Sequence, residues 1–100
     1  SKRIYENENF FSIPDANQQI PGHSLVISKE HFETIFDLPK ELGKDLIDCI
    51  KKTANIIVKK QNAQGFNIIN NNKKVAGQVI PHIHFHILPR KKGGKIPRVY

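Results

Sequence analysis

Residues 82–86 read His-x-His-x-His, with Ile83, Phe85 and Ile87 filling the alternate positions. Successive side chains of a β-strand point to opposite faces, so the pattern predicts a strand with imidazoles on one side and an apolar ridge on the other. The ridge has to be covered by another layer. The imidazole side is then either wet surface or a site, and the whole chain must be folded around a sheet that has one face of each kind.

One hundred residues suit a single domain spanning 1–100, with one modest core and room for one site. The longest apolar runs are far too short to cross a bilayer, and no signal-peptide pattern opens the sequence, so no membrane partner is expected. Cys49 is the only cysteine, which excludes an internal disulfide or a cysteine-based zinc knuckle and fits a reducing cytoplasm. A formal charge of +7 favours polyanionic partners of any kind. Much of that charge, as at Lys51, Lys52, Lys59 and Lys60, falls on the outer face of a segment with helical periodicity. The basic tail 91–100 does not interleave aromatics with its lysines as a single-strand binder would, so nucleic acid is not the expected partner.

Along the chain, "RIY" and "FFSI" around "ENEN" predict a hairpin between Arg3 and Ile13. A turn-rich stretch, "PDANQQIPGH", then delivers His23 to a short strand at Ser24–Ser28. "KEHFETIF" offers one or two helical turns, and Pro39 suits the first position of a longer helix. Leu42, Leu46, Cys49, Ile50, Ala54 and Ile57 give that helix an apolar stripe to about Asn62, with Gly65 marking its end. "FNII" is a further strand, "NNNKKVAG" a polar turn, and Gln78–Leu88 the longest β-run; the tail is expected to be irregular. These elements predict an α+β fold: an antiparallel sheet of about five strands, covered on one face by one long and one short helix.

Three readings compete for the histidines. Packing alone is a poor account, because histidine is seldom collected on one strand without a task. A zinc site is limited by geometry: the outer pair, His82 and His86, stands roughly 13 Å apart along a strand, so two of the three at most would be ligands, with His23 or Asp15 the best candidate for a third. Catalysis uses what imidazole alone offers. One ring nitrogen attacks phosphorus while the other is hydrogen-bonded, and flanking donors meet the charge that spreads over a phosphoryl group.

"GQVIPHIHFHILPR", "IPGHSLVISKEH", "FDLPKEL" and "GFNIINNNKKVAGQ", in this order between about Phe10 and Arg90, resemble the signatures of the histidine triad (HIT) family. The resemblance implies a small α+β nucleotide-binding enzyme, a homodimer whose sheets join across the interface, acting at the α-phosphate of a nucleoside phosphoramidate or dinucleoside polyphosphate through a nucleotidyl-histidine. It implies His84 as nucleophile and His86 on the phosphate and leaving group, with His82 and His23 supporting the imidazole network. Asp15, eight residues before His23, takes the place of a ribose ligand, and Asn71 and Gln78 that of the polar residues around the phosphates. A purine nucleotide such as AMP or GMP is the implied ligand, with neither metal nor other cofactor. Asp15 and Asn71 have a plainer reading as turn residues.

The chain departs from the pattern in three places. Val79 stands where some branches carry serine or threonine, lysines enter the phosphate-loop turn at "NNNKK", and the chain begins inside the family pattern, without the segment that often bears Cys-x-x-Cys and shapes the base pocket. The competing function is a nucleotide-sensing or basic interaction module with weak catalysis, which the +7 charge favours mildly and an intact triad disfavours.

Overall fold

The computed structural model describes residues 2–95 and Val99. Five antiparallel strands form one sheet: β1 (Tyr5–Glu6), β2 (Phe10–Pro14), β3 (Ser24–Ser28), β4 (Gly65–Ile69) and β5 (His84–Arg90), in the spatial order β1-β2-β3-β5-β4. Among the described residues one long helix, α1 (Gly43–Gln61), lies across one face. The α+β fold read from the pattern is the fold observed.

The register explains why. Val26 pairs with Phe85 and Ser24 with Ile87, which sets those side chains toward α1, while Leu25 opposite His86 and Ile27 opposite His84 look the other way. Phe10, Val26, Ile83, Phe85 and Ile87 meet Leu46, Cys49, Ala54 and Ile57 of α1 in the core. Each large side chain buried there removes apolar surface from water, worth about 1.5–3 kcal/mol. The helix is thus held by its stripe, and the imidazole face of β5 stays uncovered by it.

Polar residues clasp α1 to the hairpin. Tyr5 donates to Asp48 at 2.6 Å and Asn7 donates to the same carboxylate oxygen at 3.0 Å. Asn9 donates to Asp45 at 2.8 Å. The hydroxyl of Thr53 on α1 donates to Ser12 of β2 at 2.7 Å, deep in the interface.

Four element boundaries differ from expectation. The short helix shrinks to a 3-10 turn at Ile35–Asp37, fixed by a capping box in which Thr34 accepts from the backbone and Asp37 reaches back to Thr34. Pro39 begins a second 3-10 turn, Lys40–Leu42, and the α-helix proper starts only at Gly43. The helix ends at Asn62, not Gly65: Asn62 takes up φ 54° and its N–H bonds the carbonyls of Val58 and Lys59, a left-handed cap that asparagine tolerates. Most consequentially, the β-run expected from Gln78 begins only at His84, because Pro81 has no N–H to give a ladder and Ile83 N–H bonds Phe32 O instead. His82 therefore stands just before the strand. Of the tail, 96–98 and Tyr100 lie outside the described residues, while Lys91–Gly94 form a turn and Val99 is buried.

Candidate active site

The open face of β3 and β5 is the floor of a cavity of about 650 Å³, walled by Asp15, His23, His82, His84, His86 and Val99 among others. That volume suits a small organic ligand such as a nucleotide. The cavity joins groups that stand far apart in sequence. His23 enters from the loop before β3, where Gly22 adopts φ +90° and passes so close to α1 and β5 that a Cβ would lie 2.7 Å from Gln61 and 2.8 Å from Pro89.

Each ring has a defined partner. His84 Nδ1 lies 2.8 Å from the carbonyl of His82, and a carbonyl can only accept. The proton of neutral His84 is therefore on Nδ1 and the lone pair on Nε2, as a nucleophile requires. His82 Nε2 lies 2.8 Å from Ser28 O, which by the same reasoning makes it a donor, and its Nδ1 meets His31 Nδ1 at 3.3 Å. His82 thus braces the chain entering β5. His86 Nδ1 is 2.9 Å from His23 Nε2, and the His84 and His86 rings stand edge to face with centroids 5.0 Å apart.

His23 is almost fully buried and its pKa is lowered, chiefly by loss of solvation, against which the nearby Asp15 carboxylate acts to raise it. Its Nδ1 accepts from the Gln19 backbone N–H at 3.2 Å. Asp15 Oδ2 lies 3.3 Å from His23 Nε2, while Oδ1 accepts from Asn17 N–H at 2.9 Å.

Asp15, His23 and His86 bring ligand atoms within 4.8 Å of one another, close enough to surround a divalent ion. The hydrogen bonding opposes it. A neutral imidazole that ligates through Nε2 must carry its proton on Nδ1, where the Gln19 N–H already points. The donor set is ill suited to a metal.

Asn71 and Gln78 are placed less directly. Asn71 donates to Val99 O at 2.9 Å, at the cavity wall. Gln78 is buried, accepts from Lys73 N–H at 2.7 Å and donates to Glu33 O at 2.6 Å, so both ends of its amide tie the loop before β5 to the chain near Glu33. Sequence reasoning passed over two neighbours: Asn70, which donates to His84 O at 2.9 Å, and His31. "NNN" and "SKEH" held the signal, but only strand pairing tells which asparagine faces which backbone. Arg90 bonds Asn67 at 3.3 Å, and no lysine or arginine is among the described residues that wall the cavity.

An antiparallel sheet with one helix-covered face and one face of tautomer-fixed imidazoles around a nucleotide-sized cavity defines a class of small α+β protein with a histidine-lined ligand site. The HIT domain model matches residues 1–93, and the chain belongs to the HIT family. It is 41% identical over 93 residues to an uncharacterised HIT-like protein of Methanocaldococcus jannaschii, covering 93% of this chain and 71% of that protein. An adenosine 5′-monophosphoramidase of Saccharomyces cerevisiae is 30% identical over 91 residues, covering 91% of this chain and only 55% of its own length. The crystal structure of a HIT family member from Bacillus subtilis superposes with a TM-score of 0.87 at 34% identity, over 100% of this chain and 74% of that one.

Proposed function

We propose that this chain is the core of a nucleotide hydrolase or transferase that cleaves purine nucleoside phosphoramidates, or dinucleoside polyphosphates, at the α-phosphorus. The observation that carries the reading is the His84 Nδ1 contact to His82 O, which turns the Nε2 lone pair into the reactive one. In the first step Nε2 forms a bond to phosphorus as the bond to the leaving amine or phosphate breaks, and solvent supplies the amine's proton. Water then attacks the same phosphorus and gives up a proton to solvent, the P–N bond returns its electrons to the ring, and the nucleotide leaves. His86 donates to a phosphoryl oxygen, Asp15 accepts from the ribose hydroxyls, and the amide of Asn71 holds the phosphate region once it exchanges Val99 for ligand. Neither step calls for a metal. Similarity to a yeast phosphoramidase and the volume of the cavity support the choice of substrate.

A homodimer and a cytoplasmic location complete the proposal. β4 is a sheet edge whose Phe66 and Ile68 are substantially exposed on the helix side, a surface a second copy can cover, and the lone buried thiol of Cys49 suits a reducing compartment.

The test is release of AMP from adenosine 5′-phosphoramidate in excess chelator, with His84→Ala run alongside and diadenosine polyphosphates as second substrates. AMP from the wild type alone is the expected result. Equal hydrolysis by His84→Ala would overturn the assignment of the nucleophile, and no turnover of any of these substrates would favour a nucleotide-sensing role.

A further inference from the structure

His23 Nε2 shares a hydrogen bond with His86 Nδ1 at 2.9 Å and has the Asp15 carboxylate oxygen Oδ2 beside it at 3.3 Å. The direction of the His23–His86 hydrogen bond is ambiguous from that pair alone, since either imidazole can donate. The surroundings remove the ambiguity. The Gln19 N–H donates to His23 Nδ1, so neutral His23 must hold its proton on Nε2, and a carboxylate beside Nε2 stabilises the same tautomer. His23 is then the donor to His86 Nδ1, and neutral His86 must carry its own proton on Nε2.

We propose that Asp15, acting with the Gln19 backbone amide, is a positioning residue that fixes the tautomers of His23 and His86, and so sets His86 Nε2–H as the donor beside His84. This goes beyond the ribose contact assigned to Asp15 and rests on the proposed function only for its consequence in turnover. The carboxylate has two tasks at one place. Its Oδ1 is oriented by Asn17 N–H while Oδ2 lies against His23, so a nucleotide whose ribose hydroxyls reached Asp15 would bind to the group that also orders the proton chain.

Two measurements separate this role from sugar binding. The first needs no substrate: long-range ¹H–¹⁵N correlations of the histidine rings, recorded above the imidazole titration range. In the wild type both His23 and His86 are expected to show protonated Nε2 and lone-pair Nδ1. In Asp15→Asn, whose amide can turn an N–H toward His23 Nε2, the Nδ1–H form of both rings should become populated. A wild-type His86 protonated on Nδ1, or an Asp15→Asn spectrum identical to wild type, overturns the inference.

The second measurement compares wild type and Asp15→Asn on adenosine 5′-phosphoramidate and its 2′,3′-dideoxy counterpart. With no sugar hydroxyls to hold, Asp15→Asn is still expected to lower kcat by about tenfold to a hundredfold, with little change in KM. If the loss disappears on the dideoxy substrate, Asp15 is a sugar ligand only and the inference falls. If neither protein cleaves either substrate, the proposed function fails, while the ring spectra still decide the tautomers.

Discussion

Two polar networks hold this molecule on opposite faces of one sheet, and they are built from different chemistry. On the helix side, Tyr5, Asn7 and Asn9 grip Asp45 and Asp48. The donors in that grip are a phenol and amides and the acceptors are carboxylates and a backbone carbonyl, so at neutral pH each of these protons has one place to be. On the open side, His23, His82, His84 and His86 bond to backbone carbonyls, an amide and one another. Each ring can place its proton on either nitrogen, and the groups around it decide which. The helix-side network is a clasp; the imidazole network lines a cavity and, under the proposed function, turns lone pairs and protons toward it. Histidine is costly as mere glue but is what a site that moves charge requires.

The sharpest break in that comparison is His84→Ala. It should reduce turnover of the proposed substrate by about 10⁴-fold or more, as loss of a covalent nucleophile does, while nucleotide binding measured by calorimetry changes little. One residue along, Phe85→Ala should do the reverse. Phe85 is buried in the core, so its truncation should cost about 3–5 kcal/mol in a urea titration, yet the molecules still folded should keep their turnover. If the two variants behaved alike, β5 would not divide chemistry from packing by its two faces.

That division was legible in the sequence because it depends only on alternation, and alternation survives small shifts in strand boundaries. His82 keeps to the cavity side and Ile83 to the core although neither belongs to β5. The apolar stripe of α1 was legible for the same reason. What could not be read was whatever depends on a partner distant in the chain. Pro81 hinted that the strand starts late, but the carbonyl of Phe32 that takes up Ile83 N–H is 51 residues away. Likewise, the turn formers of "PDANQQIPGH" announced a loop without revealing that Gln19 N–H ends on His23, the contact that orients the imidazole chain.

Gln78 sharpens the comparison from between the two networks. The family resemblance sets it near phosphate, yet its buried amide joins Lys73 N–H to Glu33 O. Gln78→Ala should cost about 1 kcal/mol in stability through the two part-buried hydrogen bonds it removes. Turnover at saturating substrate should fall less than threefold. A collapse of kcat without loss of stability would instead move Gln78 from the brace to the site.

The smallest effect, and the most specific, is that Tyr5 of one network and His23 of the other should shape opposite limbs of the pH–stability curve. The Tyr5 hydroxyl, donating to Asp48, has its pKa pushed from the ordinary 10.0 up to about 12. Its folded value lies above its unfolded one, so the stabilisation is complete below pH 10 and is lost as the pH climbs toward 12. His23 is shifted the other way, its folded pKa lying below the ordinary 6.5 because burial disfavours the cation. The unfolded chain takes up that proton first as the solution is acidified, so this contribution is complete above pH 6.5 and declines below it, through the depressed folded value. Absorbance at 295 nm should show one of the two tyrosines of the chain titrating near pH 12, and in Asp48→Asn that titration should return toward 10. On the acid side, His23→Gln should flatten the loss of thermal stability between pH 7 and 5 while leaving the alkaline limb unchanged. Asp48, whose carboxyl the Tyr5 hydrogen bond holds below the ordinary 3.8, acts in acid only below the range in which His23 acts. If Asp48→Asn changed the slope between pH 7 and 5, or His23→Gln the alkaline limb, the clasp and the imidazole chain would be one coupled network across the sheet, and the separation of holding from reacting would not stand.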